Sequence, residues 1–221
     1  MARILNADTT FDEHEEEATF TMAAIEADPD AVDLLPMTAT WLPQIAAARA
    51  NALSTRQQVA KADALRIISN GRLDAVCVAF GDSLYAAVQK DRTSARWKTF
   101  FPETVSSFVK QALDRQVKLV KGWLGLTDAA LDPHRAALTK WSDAAADAQV
   151  KTAAAGSARG QIWQQREALG EALTRERDGL HAALGQRARD RNLPRDWPDL
   201  FVRVQRSASR PEQAPPPAQP A

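Results

Sequence analysis

Few residues in this chain could do chemistry, and their spacing decides what that chemistry would be. The sequence holds three histidines and one cysteine. Two pairings place ligand-type side chains on one helical face, His14-x-x-Glu17 and Asp178-x-x-His181. A carboxylate-bridged metal centre in a helical bundle calls for two Glu-x-x-His pairs with further inward carboxylates, and the sequence has neither pair. Both approximations sit in highly charged stretches. Cys77 lies inside an apolar run, the setting of an inert buried thiol rather than of a nucleophile. His134 follows a proline in a first helical turn, where a surface imidazole is the simpler reading. Gly-x-Ser-x-Gly, the Walker lysine loop and Gly-x-Gly-x-x-Gly do not occur. No catalytic, cofactor-binding or metal-ligating set is therefore assigned.

Charge offers more. Residues 1–40 carry ten Asp and Glu against the single Arg3, although the whole chain is neutral. An acidic head thus faces a basic body, with its charge met inside the chain or by another one. Glu13, Glu16 and Glu17 of the head, with the bulky apolar Trp197, Leu200 and Phe201 near the other end, form the candidate partner surface. Arg187, Arg189, Arg191 and Arg195 cluster at the end of a long helical pattern, a candidate nucleic-acid contact. Arginines there also complement a helix dipole without any ligand. Lys110, Lys118 and Lys121 are a second basic set, interleaved with polar residues rather than with exposed aromatics. Six tryptophans could line a ligand cavity, but Trp123 and Trp141 lie on apolar stripes, and Trp97 and Trp197 fall in connectors that one large ring can staple.

The elements that must position these residues read as helices. Nine glycines and one tyrosine in 221 residues argue against a turn-rich β-sandwich. A single cysteine excludes an intramolecular disulfide. The first residues lack the apolar core of a signal peptide, and no stretch reaches the length of a membrane span. A soluble, cytoplasmic protein is expected.

Thr10-Phe-Asp-Glu13 has capping-box form and opens a first helix with few apolar residues. Asp28-Pro29 is an N-cap followed by proline, starting a short turn that Pro36 interrupts. From Thr38 to Ser69, Leu42, Ala46, Ala50, Leu53, Ala60, Ala64 and Ile67 or Ile68 follow helical steps and predict a long helix. Asn70-Gly71 predicts a break before a stripe from Leu73 to Val88. Pro102 predicts the start of a helix carrying Val105, Phe108, Val109, Ala112, Leu113, Val117, Val120 and Trp123. Asp132-Pro133 repeats the N-cap and proline start of Asp28-Pro29. An alanine-rich helix to about Ala155 follows, and Gly156-Ser157 separates it from a last long helix, Ala158 to Asn192, whose Ile162, Leu169, Leu173 and Leu180 approach a heptad. Trp197, Leu200, Phe201 and Val204 read as a short lid.

The expected fold is all-α, a multi-helix bundle of about five main helices. Residues 1–36 read as an acidic helical arm, 37–206 as the bundle and 207–221 as a disordered Pro/Ala-rich tail. The function expected is that of a non-enzymatic interaction or scaffold protein, self-association included, through the heptad-like helix or the complementary charges. A nucleic-acid-associated protein and a small-ligand-binding bundle stay open as alternatives; no membrane partner is expected.

Overall fold

The computed structural model describes residues Thr9 to Arg203, all helix, turn and connector; no strand occurs among them. The order is α1 (Phe11–Ala27), a 3-10 turn Val32–Thr38, α2 (Trp41–Ala87), α3 (Ala95–Phe100), α4 (Val105–Val109), α5 (Leu113–Leu124), a 3-10 turn Asp132–His134, α6 (Arg135–Asp190) and a 3-10 turn Trp197–Phe201. The all-α expectation is met. The tail 207–221 and Val204 lie outside the described residues.

Local chemistry accounts for the ends. In α1 the capping box is complete, with Glu13 N–H donating to Thr10 Oγ1 at 3.2 Å and Thr10 N–H donating to Glu13 Oε2 at 2.7 Å. Asp28 closes α1 and caps the tight turn 28–31 that leads into Val32–Thr38, its Oδ1 accepting from Asp30 N–H at 2.8 Å. At the far ends of the two long helices the chain leaves through left-handed residues, Gln89 and Lys90 after α2 and Asn192 after α6. Lys90 N–H then reaches Tyr85 O at 2.9 Å and Leu193 N–H reaches Ala188 O at 2.8 Å, a closure that satisfies a last-turn carbonyl.

Two expected breaks are absent. Helix α2 runs through Asn70-Gly71, and α6 runs through Gly156-Ser157. A mid-helix glycine costs about 1 kcal/mol relative to alanine, which the buried Ser69 and Leu73 beside Gly71 and the buried Ala155 beside Gly156 offset. Asn70 does not cap; its Nδ2 donates to the Asp74 carboxylate one turn on, at 3.3 Å. The opposite correction applies after Pro102, where the single expected helix is two, interrupted at residues 110–112. There the buried Gln116 amide donates to Phe108 O at 3.2 Å and Gln111 O at 3.3 Å, satisfying carbonyls the break exposes.

The described chain forms two compact units, one from residues up to Ala52 and from Ile162 onward, the other Leu53–Gln161. Residues 11–38 are thus part of the first unit rather than a separate arm. Its core joins Ala18 and Ile25 of α1, Trp41 and Ile45 of α2, Leu173, Leu180 and Leu184 of α6, and Trp197 and Phe201. The core of the second unit is aromatic: Phe108 and Trp123 stack at 4.7 Å, and Phe100 meets Phe80 edge-on at 5.0 Å. Gly81 lets α4 approach α2 in this unit, since a Cβ there would fall 2.5 Å from Val105 Cγ2.

Along the chain one plan of elements occurs twice, offset by about 100 residues. Helix, 3-10 turn, long helix and short aromatic element occur as α1, Val32–Thr38, α2, α3 and again as α5, Asp132–His134, α6, Trp197–Phe201. Asp128 Oδ1 accepts from Ala130 N–H at 2.8 Å as Asp28 does from Asp30. Ala31 and Leu131, both fully buried, donate to the carbonyls of Asp28 and Asp128 at 2.9 and 3.0 Å. Leu73, Phe80 and Leu84 of α2 are buried, as are Leu173, Leu180 and Leu184 of α6; Trp97 and Phe101 correspond in the same way to Trp197 and Phe201. The positions one hundred residues on from α4 lie outside the described residues.

Candidate interaction surface

The acidic head spends its charge inside the first unit. Arg49 pairs with Asp12 and, at 2.8 Å, with Glu15; Arg203 pairs with Glu16 at 3.0 Å; Arg187 pairs with Asp33 and Arg191 with Asp30. Arg187 Nη2 donates to Asp33 Oδ2 at 2.6 Å, and that hydrogen bond holds the Asp33 carboxyl below its usual range. Glu17 is buried and faces the equally buried Arg177 across 3.6 Å. His14 is buried beside this pair on α1 rather than solvated.

These positions revise the surfaces expected from the sequence. Of the proposed partner residues, Glu17, Trp197 and Phe201 are core, Glu13 serves the capping box, and Glu16 is exposed but paired. Trp197 Nε1 donates to Asp28 Oδ2 at 2.9 Å, fastening the aromatic turn to the end of α1. Only Leu200, 63% exposed, is a free apolar surface residue of that set. In the arginine cluster, Arg187 and Arg191 are neutralised by Asp33 and Asp30, and Arg189 donates to Gln186 at 2.7 Å. Arg189 and Arg195 line a shallow groove with His181, Asn192 and Pro198. The heptad-like seam of Leu169, Leu173 and Leu180 is buried in its own unit, so it is not a free surface for self-association.

The groups with chemical potential are similarly occupied. Cys77 is fully buried and burial pushes its thiol up to about 12. His134 Nε2 lies 2.9 Å from Ser83 Oγ, with its ring against Phe80. His181 Nε2 meets Asp199 Oδ1 at 3.0 Å rather than Asp178. Among the described residues no three His, Cys, Asp or Glu side chains converge to hold a metal, and no helix is long and apolar enough to cross a membrane.

What remains open is an apolar face of α2. Leu53, Ala60, Ala64, Ile67 and Ile68 of α2 are all exposed, Leu53 at 55%, Ile67 at 62% and Ile68 at 59%. The inward side is instead Ala62, Ser69, Leu73, Cys77 and Phe80, flanked by the half-buried Val59 and Val76. Apolar residues occupy both sides of this helix, so helical periodicity alone cannot choose between them. The exposed set continues through Gly71 and Ala75 to Val78, 42% exposed. Gln57 and Arg56 are its polar neighbours at one end, and Asp74, half-buried, at the other. Burial raises the Asp74 carboxyl pKa, partly opposed by the Gln116 amide.

Beyond the small Ala153 and Gly160, the corresponding face of α6 is polar. One hundred residues on from Ala64, Ile67, Gly71, Ala75 and Val78 stand Gln164, Glu167, Glu171, Arg175 and Asp178, every one exposed. The exposure pattern is shared and the chemistry is not. No family model, no curated protein and no solved structure matches this chain.

Proposed function

We propose that this chain is a non-enzymatic helical interaction protein, a scaffold whose working surface is the apolar face of α2 from Leu53 to Val78. One observation carries the reading: the face holds four large aliphatic side chains in solvent, where the equivalent face of α6 is charged. Contiguous exposed apolar surface of this kind marks a place where another molecule docks. The internal pairing of Arg187 and Arg191 argues in the same direction, because it removes half of the arginine cluster from any role in holding phosphate. The function is binding through protein-protein contact, with the long helix as the rigid presenter of a groove-filling or helix-pairing surface.

Site-specific photocrosslinking tests this. A benzophenone amino acid placed at Ala64 is expected to crosslink the chain to another protein molecule in living cells, and the same group at Gln164 is not. If the probe at position 64 captures nothing while the protein is folded, the face is not a binding surface and the reading is wrong.

A further inference from the structure

Each compact unit is assembled from both occurrences of the plan, the first and the second repeat. One unit joins the front of the first repeat, residues 9–52, to the back of the second, residues 162–203; the other joins the back of the first repeat to the front of the second. The two backs present matching apolar side chains, Leu73, Phe80 and Leu84 in one and Leu173, Leu180 and Leu184 in the other. Apolar burial is non-directional, so on its own it would also accept a repeat closed on itself.

Charge distinguishes the two arrangements. The acidic front of the first repeat meets arginines of the second repeat's back: buried Glu17 faces Arg177 across 3.6 Å, Asp33 accepts a hydrogen bond from Arg187 at 2.6 Å, Asp30 pairs with Arg191, and Glu16 pairs with Arg203 at 3.0 Å. The first repeat's own back offers none of these arginines. One hundred residues earlier, Arg177 is Cys77, Arg187 is Ala87 and Arg203 is Glu103, and α2 stops at Ala87, short of the place of Arg191. A first repeat closed on itself would bury Glu17 against a thiol and set Glu16 toward Glu103.

The other unit uses different residues to the same effect. Asp128 accepts two hydrogen bonds from Arg96, at 2.8 and 2.7 Å, and His134 Nε2 lies 2.9 Å from Ser83 Oγ. In the second repeat's own back the place of Arg96 is taken by Asp196 and that of Ser83 by Ala183. A second repeat closed on itself would set Asp128 on Asp196, and would give Arg187 Pro133 in the place of Asp33.

From these substitutions we infer that the acidic head, the arginines of α6 and the Arg96–Asp128 pair are a recognition code, by which the front of each repeat selects the back of the other and rejects its own. Each front is an interaction surface whose partner is the opposite repeat. Selection of this kind rests on repulsion in the wrong pairing as much as on attraction in the right one. Glu17 and Arg177 contribute most, because burying one charge of such a pair without the other costs on the order of a hundredfold or more in the pairing equilibrium. The exposed pairs add about a few-fold each at most. This pairing is independent of whether the α2 face binds another molecule.

The test cuts the complete protein between its repeats. A protease site inserted between Glu103 and Thr104, in the connector from α3 to α4, is cleaved in the folded chain. The two pieces are then unfolded together in urea, refolded by dilution and weighed by native mass spectrometry. They are expected to stay together after cleavage and to refold as a complex of one of each, with self-paired complexes on the order of tenfold or more below random pairing. Glu17→Gln with Arg177→Met removes the buried charges and is expected to raise the self-paired fraction about tenfold. Should that variant fail to fold, the exposed Asp196→Arg gives Asp128 a partner within its own repeat, and is expected to raise self-pairing of the second piece about threefold. Pieces that part on cleavage, self-paired complexes as common as crossed ones, or a crossed preference that these variants leave unchanged each overturns the proposal.

Discussion

The outer faces of α2 and α6 hold the same place in two copies of one helical plan, and they have opposite chemistry. On α2 the exposed positions are Ala64, Ile67, Gly71, Ala75 and Val78; on α6 they are Gln164, Glu167, Glu171, Arg175 and Asp178. The inward faces divide the other way. At one equivalent pair of positions, α2 buries the thiol of Cys77 among aromatics, while α6 buries Arg177 against Glu17. Folding demands only that each helix have one side its unit can cover. What the uncovered side carries is then free to serve function, and here a single helix has been given a second apolar side.

The sharpest way to break this comparison is at the inward positions. Removing one partner of a buried ion pair leaves the other charge desolvated, so Arg177→Ala is expected to cost about 3–5 kcal/mol by urea denaturation. Cys77→Ala at the equivalent place removes a small apolar group and is expected to cost about 1 kcal/mol. Equal losses would mean that the two cores are not the polar and apolar versions of one arrangement.

Packing specific to the second unit gives the next effect. Gly81→Ala drives a methyl into Val105 and is expected to destabilise by about 1–3 kcal/mol, measured by urea denaturation. A neutral Gly81→Ala would show that α4 can move away from α2 at no cost.

The capped turns test how far the two copies are equivalent. Asp28→Ala and Asp128→Ala each remove an N–H acceptor, expected at about 1–2 kcal/mol in thermal unfolding. Asp128→Ala carries the larger loss, because the Asp128 carboxylate also takes two hydrogen bonds from Arg96, at 2.8 and 2.7 Å, where Asp28 takes one from Trp197.

The smallest effect expected is in acid. Asp33 has its pKa lowered in the folded state, by its hydrogen bond from Arg187. Its contribution to stability is thus complete above the ordinary carboxylate pKa of 3.8 and is lost as pH falls below it through the depressed folded value. Asp33→Asn should flatten that part of the stability curve slightly, measured as the denaturation midpoint against pH. An unchanged acid limb would mean that this exposed pair contributes nothing in solution.

Much of the fold was legible because it rests on local rules. The capping box at Thr10, the stop at Asp28 and the exit at Asn192 follow from side chains acting within a few residues of themselves. The duplication was nearly invisible: Asp28 and Asp128, Trp41 and Trp141, Leu73 and Leu173, Leu84 and Leu184, Trp97 and Trp197, and Phe101 and Phe201 correspond, but they are separated by long stretches of unlike residues. The most visible dipeptide echo, Asp28-Pro29 and Asp132-Pro133, pairs the wrong aspartates. The α2 face was not legible as a candidate site either, since Leu53 and Ile67 obey a helical rhythm that Leu73 and Phe80 obey equally well on the other side.

The sequence by itself determined that this chain is helical and where most of its helices begin and end. Tertiary structure alone decided whether Gly71 and Gly156 break a helix, which carboxylates of the acidic head are buried, and which of two apolar sides of α2 faces water. The division has a physical basis. Caps and periodicity are fixed by neighbours along the chain, whereas burial depends on what the rest of the unit brings against a helix, and a helix with two apolar sides leaves that choice to its partners.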